Sequence, residues 1–390
     1  MPDPSGARAP SAADLRATLR KLTPRERFAA VFDAEAPRDP SPPKLTAVVL
    51  AYNEGLRLPY FLEHHRRIGV ERFIIVDNGS TDGSPELMAA APDILRLESL
   101  KPYKQYKSIW REVIADALLA DSWACFPDVD ELLIYPGWPG RSLLWFCDGL
   151  SRRGYDALFT SMVDMYPQSA LGLEPYVPGA SFIEYAPLFD VGNYRLSHRR
   201  ADLERAPTPP MSLQGGPRER LFLDPRRRPP NAVEAWIARR FLSPTQPLEK
   251  TAIGRWKRQA ALRLVKSTLP KHPPAMGKVP LVKWRPGTEF LGGVHYLSPR
   301  YDLAPDWGAL LHFKYFDDFF EKAEILAERG QHSNNAHRYK TYRDSRSTLE
   351  GATLSFEGTR RFTGVRDLTE TGLMRISPDL AAALDAPGNP

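Results

Sequence analysis

Apolar residues in this chain follow two rhythms that alternate from Leu45 onward. Leu45-Thr46-Ala47-Val48-Val49-Leu50-Ala51 is an unbroken apolar and β-branched run, which predicts a strand buried on both faces. Phe61, Leu62, His65 and Ile68 then recur at helical spacing before Gly69, predicting a helix over about 58–68. A second buried strand is expected over 72–77, and Asn78-Gly79-Ser80-Thr81-Asp82-Gly83 makes the turn into a helix starting near Ser84-Pro85-Glu86. A short strand at 94–97, an amphipathic helix over 107–121 and a strand at 123–127 complete the series and deliver Asp128 to a strand end. Such a β-α-β-α succession implies parallel strands joined by right-handed crossovers.

Farther along, 155–162 reads as a strand, the Pro-, Arg- and Gly-rich stretch 201–230 as mostly loop, 309–313 as a strand, and 316–329 as a helix closed by Gly330. The Pro- and Ala-rich start, 1–43, reads as a flexible tail with a short helix from about 12 to 32. The expected organisation is therefore one α/β domain over 44–330, a Rossmann-type sandwich with a mostly parallel central sheet, followed by a helical and loop extension over 331–390. No internal repeat or heptad array is present.

Composition narrows this picture modestly. Of 390 residues, 53 are Lys or Arg and 47 Asp or Glu, a net charge of +6 that is compatible with an anionic substrate or an acidic membrane surface. Part of the excess lies in Arg226-Arg227-Arg228. With acidic residues so dispersed, nucleic acid is not the expected partner. Two cysteines, Cys125 and Cys147, in apolar surroundings give no disulfide framework, and cytoplasmic residence is expected. No apolar run is long enough to span a bilayer, so contact with a membrane would be peripheral, from its inner face.

In open parallel sheets, ligands bind beyond the carboxyl ends of the strands. Three such ends here carry polar residues: Tyr52-Asn53-Glu54, Asp77-Asn78-Gly79-Ser80 and Asp128-Val129-Asp130-Glu131. Asp128 and Asp130, at i and i+2, can turn toward one divalent cation while Val129 faces away, and oxygen ligands suit Mg²⁺ or Mn²⁺. Such an ion would hold a diphosphate and stabilise the charge that develops as it departs. Asp77 can accept hydrogen bonds from a ribose or uracil edge, whereas Asp82 serves equally well as a helix cap. Lys107 and Arg111, on the helix before the acidic strand end, are phosphate candidates.

Together, Val48-Val49-Leu50-Ala51-Tyr52-Asn53-Glu54, Ile74-Ile75-Val76-Asp77-Asn78-Gly79-Ser80-Thr81-Asp82-Gly83 and Phe126-Pro127-Asp128-Val129-Asp130-Glu131-Leu132 resemble glycosyltransferase family 2 and its relatives with the GT-A fold. The resemblance covers about 45–136 well and the remainder loosely. Asp130-Glu131-Leu132 and Leu311-His312-Phe313-Lys314, with the helix to Gly330, are similar to a bacterial branch of family 2-like transferases. It implies that Ala51, Asn53 and Glu54 line a nucleotide pocket beside Asp77 and Asn78. It also implies that Asp128 and Asp130 hold the metal and the diphosphate of a nucleoside-diphosphate sugar. A further metal ligand is expected from a late histidine, His295 in Gly292-Gly293-Val294-His295-Tyr296, with His312 as runner-up. The acceptor is expected to be a hydroxyl of a glycan, a lipid-linked sugar or a cell-surface polysaccharide.

Inverting transfer needs a carboxylate to take the acceptor proton, and Asp164, then Glu184, are the candidates. Neither the Glu-Asp acceptor pair nor a Gln-x-x-Arg-Trp block of the family occurs, which argues against a processive polymer synthase. A sugar nucleotidyltransferase would want a Gly-rich basic loop after the first strand, where Tyr52-Asn53-Glu54-Gly55-Leu56-Arg57 has one glycine and a carboxylate. A non-catalytic nucleotide-sugar-binding protein would have no use for the acidic pair.

Overall fold

The computed structural model describes residues 10–38, 43–198, 208–222, 228–246, 251–270, 273–331 and 333–386. Its centre is a ten-stranded sheet. The first strands are β1 (Leu45–Ala51), β2 (Arg72–Asp77), β3 (Ile94–Glu98), β4 (Trp123–Cys125), β5 (Glu131–Ile134), β6 (Ala157–Tyr166) and β7 (Leu188–Asp190). A separate hairpin, β8 (Arg195–His198) and β9 (Met211–Gln214), precedes β10 (Gly277–Lys283). A second hairpin, β11 (Glu289–Leu291) and β12 (Tyr296–Ser298), precedes β13 (Leu303–His312) and β14 (Thr359–Arg361).

Strands β3, β2, β1 and β4 lie side by side and parallel, as the sequence predicts. β10 runs antiparallel between β4 and β6, β13 continues parallel to β6, and β5 closes the far edge antiparallel to β13. β7 and β14 branch from the end of β6. Both faces of the first strands are covered: Leu45, Ala47 and Val49 enter one core, Val48 and Leu50 the other, and in β2 Phe73 and Ile75 oppose Ile74 and Val76. The result is an α/β protein with a large, mixed, mostly parallel sheet.

That sheet must curl, because β4 and β5 are four strand positions apart yet Glu131 lies only six residues on from Cys125. A flat sheet would require about 19 Å, close to the roughly 20 Å that six fully extended residues reach. The segment is not fully extended, since the Glu131 N–H turns back onto the Asp128 carbonyl at 3.0 Å. Its ends are pinned by Phe126 N–H to the Pro280 carbonyl of β10 (2.7 Å) and by Phe313 N–H to the Asp130 carbonyl (2.7 Å). Asp128, Val129 and Asp130 therefore bridge the inside of the curl.

Several expectations are corrected. The start is helical over 12–32 as expected, but as two helices, Ala12–Leu19 and Pro24–Phe32, each opened by a reciprocal capping box, and packed on the domain where a flexible tail was expected. Phe28, Val31 and Phe32 bury against the Tyr103–Leu118 helix, and Arg16 and Arg27 pair with Glu112 and Asp116. The stretch over 331–390 is not an appendage to the sheet: β14 pairs with β7, Leu368, Leu373 and Met374 join the main core, and Trp307 exchanges backbone hydrogen bonds with Arg375. Within the predicted loop over 201–230 lie β9 and a short helix, Pro217–Leu221; positions 201–207 and 223–227, including Arg226 and Arg227, fall outside the described residues.

The Leu58–Arg67 helix packs on β5 through two buried histidines. His64 Nε2 donates to the Leu133 carbonyl at 3.0 Å, and His65 Nδ1 is 2.9 Å from the Phe61 carbonyl. Burial pushes the His64 imidazole down to about 4 and that of His65 to about 3. Unfolded imidazoles take up protons near 6.5, so the contribution of these groups is fully present above that pH and is lost as pH falls through the folded values. The shift at His64 corresponds to about 3 kcal/mol. Urea unfolding at pH 7.5 and pH 4.5 should show His64→Gln losing less stability on acidification than wild type; equal losses would contradict this account.

Candidate active site

A cleft of about 700 Å³ opens inside the curl, beyond the ends of β1 and β4. Ala51, Glu54, Lys107, Arg111, Asp128, Asp130 and His295 all line it. Nine Lys and Arg side chains face it against four carboxylates, Glu54, Asp128, Asp130 and Glu219, a balance that suits a polyanion.

Asp128 accepts from Arg111 Nη2 at 2.7 Å and from Lys278 Nζ at 2.6 Å. Burial would raise its carboxyl, but these two cations outweigh burial and hold it far below the usual range. Lys278 also donates to Glu131 Oε1 at 2.5 Å, while Glu131 Oε2 accepts the Asp128 N–H at 3.0 Å. One ammonium thus serves two carboxylates. Asp128 has Arg111 in addition, so burial prevails at fully buried Glu131 and pushes its carboxyl up.

Asp130 faces the opposite partner set. Its Oδ2 lies 3.3 Å from His312 Nε2 and 3.8 Å from Lys314 Nζ. His312 Nδ1 is held at 2.5 Å by Asp164 Oδ1, whose other oxygen accepts from Arg218 Nε at 2.7 Å. Burial alone would lower the imidazole, but carboxylates on both nitrogens raise it instead. Register explains the meeting: β13 pairs His312 with Asp164 on one side and with Glu131 on the other.

The donor chemistry fits a divalent cation at Asp130 and His312. Ligating atoms of Asp130, Glu131 and His312 lie within 4.8 Å of one another, and Asp164 holds the His312 ring by the nitrogen remote from Asp130. Glu131 has both oxygens engaged by Lys278 and the Asp128 amide, whereas Asp130 and His312 face each other on the cleft wall. His295 lines the cleft, but its Nδ1 sits 2.7 Å from the Gly277 carbonyl and it is not part of this cluster; burial pushes it down to about 4. Of the two histidines considered, the runner-up His312 lies in the cluster with Asp130 and Glu131, and His295 does not.

Other expected residues lie behind the cleft wall. Asp77 is fully buried, with Arg96 on one oxygen (2.6 and 2.9 Å) and the Ser80 N–H on the other (2.9 Å). Asn53 takes a left-handed backbone (φ 53°), its Oδ1 accepting from Thr81 N–H and its N–H donating to Ser80 Oγ. Asn78 holds the Ser99 and Lys101 carbonyls and receives Arg329, which stacks 3.5 Å over the Tyr52 ring. These three residues tie the strand-end loops together and do not line the cleft. Asp82 accepts from Gly55 N–H and from Ser84 N–H at the start of the Ser84–Ala89 helix, the capping role.

Neither expected base is placed for that work. Asp164 is fully buried, spends both oxygens on His312 and Arg218, and is held down near 2 by them despite burial. Glu184 is exposed in the first turn of the short Phe182–Tyr185 helix, away from the cleft.

Sequence reading missed Lys278, Arg218 and Lys322. Lys322 donates to both oxygens of Glu54 at 2.6 and 2.7 Å, drawing the Phe319–Arg329 helix onto the end of β1. Its signal was available, since Lys322 is the charged position on the inward Phe319, Ala323 and Leu326 stripe of an anticipated helix. Lys107 has no carboxylate partner among the described residues and lies 5.8 Å from the Tyr103 ring; burial and neighbouring Arg111 lower its pKa. No protein-family model matches the chain, and no curated protein matches it significantly.

Proposed function

We propose that this protein is a metal-dependent glycosyltransferase of GT-A type, moving a sugar from a nucleoside-diphosphate donor to a hydroxyl acceptor. The observation that carries the reading is the Asp130–His312–Asp164 relay set beside Asp128 in a cationic cleft at the ends of parallel strands. Asp130 and His312 Nε2 would hold Mn²⁺ or Mg²⁺, with Asp164 fixing the ring. When bound, such a cation supplies Lewis-acid stabilisation to the departing diphosphate. Lys107, the cleft lysine without a carboxylate partner among the described residues, is positioned to meet phosphate oxygens, and Arg111 and Lys278 can exchange Asp128 for them. Tyr52, Tyr103 and Tyr339 supply flat surfaces for base or sugar. With Asp130 given to the metal and Asp128 to Arg111 and Lys278, the acceptor proton would go to Glu54 or Glu219, the other carboxylates of the cleft wall.

A thermal-shift screen of UDP-, GDP- and CMP-sugars with and without Mn²⁺ tests this. One donor class should raise the melting temperature in the presence of Mn²⁺, by the mass-action stabilisation of about 2.7 kcal/mol that ligand at 100 times its Kd confers. Metal-independent shifts, or none with any donor, would sink the proposal.

A further inference from the structure

A second feature of the surface lies outside the cleft's chemistry. The Ala252–Leu264 helix buries Gly254, Arg258 and Ala261, and with Val265 beyond its end these lie on one side, against the Ala238–Leu242 turn and β8. Ile253, Trp256 and Leu264, at i, i+3 and i+11, form a separate stripe that is 63–69% exposed. Lys257 and Arg263 flank this stripe, both exposed. The adjoining Ala232–Ile237 helix repeats the composition with Val233 and Trp236 exposed, followed by exposed Arg239 and Arg240. None of these four cations forms an ion pair among the described residues. Between 228 and 270 the described residues hold eight Lys or Arg and a single carboxylate, Glu234, which Arg228 neutralises.

We infer that this helical pair docks the protein on an anionic lipid bilayer, with Ile253, Trp256 and Leu264 in the interfacial layer and Lys257 and Arg263 on lipid headgroups. Two tryptophans beside aliphatic and basic residues match that boundary, where an apolar body and a wet rim are both satisfied. A nucleic acid would meet the cations but has no use for exposed Ile253, Leu264 and Val233. A second copy of the same face would bring like charge against like charge. Pro270, Pro273 and Pro274, within ten residues of Leu264 along the chain, line the cleft, so docking sets the cleft beside the headgroups. Docking stands independently of the transfer reaction proposed above.

Co-sedimentation of the full chain with vesicles tests it, using phosphatidylcholine alone or with phosphatidylglycerol at roughly one lipid in three. Binding is expected on the mixed vesicles, weaker on the neutral ones and diminished by high salt. Ile253→Ser with Trp256→Ser, both at exposed positions, should lower the partition coefficient about tenfold or more while circular dichroism stays unchanged. Lys257→Glu with Arg263→Glu should remove the preference for anionic lipid. No sedimentation, equal partition of wild type and the Ser variant, or equal binding to both vesicles would overturn the inference. So would a concentration-dependent dimer, or an oligonucleotide complex, that the Ser variant abolishes without any vesicle binding.

Discussion

Replacing Lys278 with methionine is expected to cost the protein about 3–5 kcal/mol of stability at neutral pH, the range for breaking a buried ion pair by removing one partner. Lys278 is buried between Asp128 and Glu131, and Glu131 has no exposure and no other Lys or Arg paired with it among the described residues. Glu131→Gln added to the variant should recover about 2 kcal/mol or more, because the amide oxygen still accepts the Asp128 N–H while the stranded charge is gone. Destabilisation of the single variant should also lessen as pH falls, since its raised Glu131 carboxyl can take up a proton. Urea titrations of the four proteins close the cycle, and additive effects would refute the shared-lysine arrangement.

On the proposed reaction, Asp130→Ala should lower donor turnover by about 10²-fold or more and abolish Mn²⁺-dependent stabilisation. Asp164→Asn never touches the cation, yet should weaken Mn²⁺ binding by roughly 10–100-fold through loss of the grip on His312 Nδ1. The second variant separates a positioning role from a general base. A base variant would keep its metal affinity and lose turnover alone, whereas Asp164→Asn should recover turnover as Mn²⁺ is raised. Metal affinity unchanged in Asp164→Asn would contradict the relay.

Most of the parallel half of the fold was legible because β1, β2 and β4 are buried on both faces and read as apolar runs, whereas β3, partly exposed and carrying Arg96, gave only a short one. β1 and β2 begin and end where the pattern places them, and Asp128 follows the next long run. β10 was not legible. Pro280 sits in its middle, and a proline normally argues against a central strand. The sheet accommodates it with a register shift between Lys278 and Leu281, and the Pro280 carbonyl still accepts the Phe126 N–H. Missing β10 meant missing Lys278. It also concealed the curl, which depends on the strands inserted between β4 and β5.

The site was legible where local spacing decides it. Asp128 and Asp130 both reach the cleft because they are two residues apart on one short crossing. Choosing between His295 and His312 depends instead on the long-range register of β13 against β6, which no local pattern carries. The same holds for Asp164: its place beyond an apolar strand reads as a reactive end, but the strand continues to Tyr166 and encloses it. Asn53, Asp77 and Asn78 lie at a strand end as expected, yet satisfy one another's loops.

The short crossing from Phe126 to Asp130 is stitched to β10 at one end and to the segment after β13 at the other. Spreading the two flanks of the sheet would therefore pull the acidic pair out of alignment before it disturbed either core. A ligand gripping Asp128 and Asp130 together would act as a rivet, damping that spreading motion as well as filling the cleft.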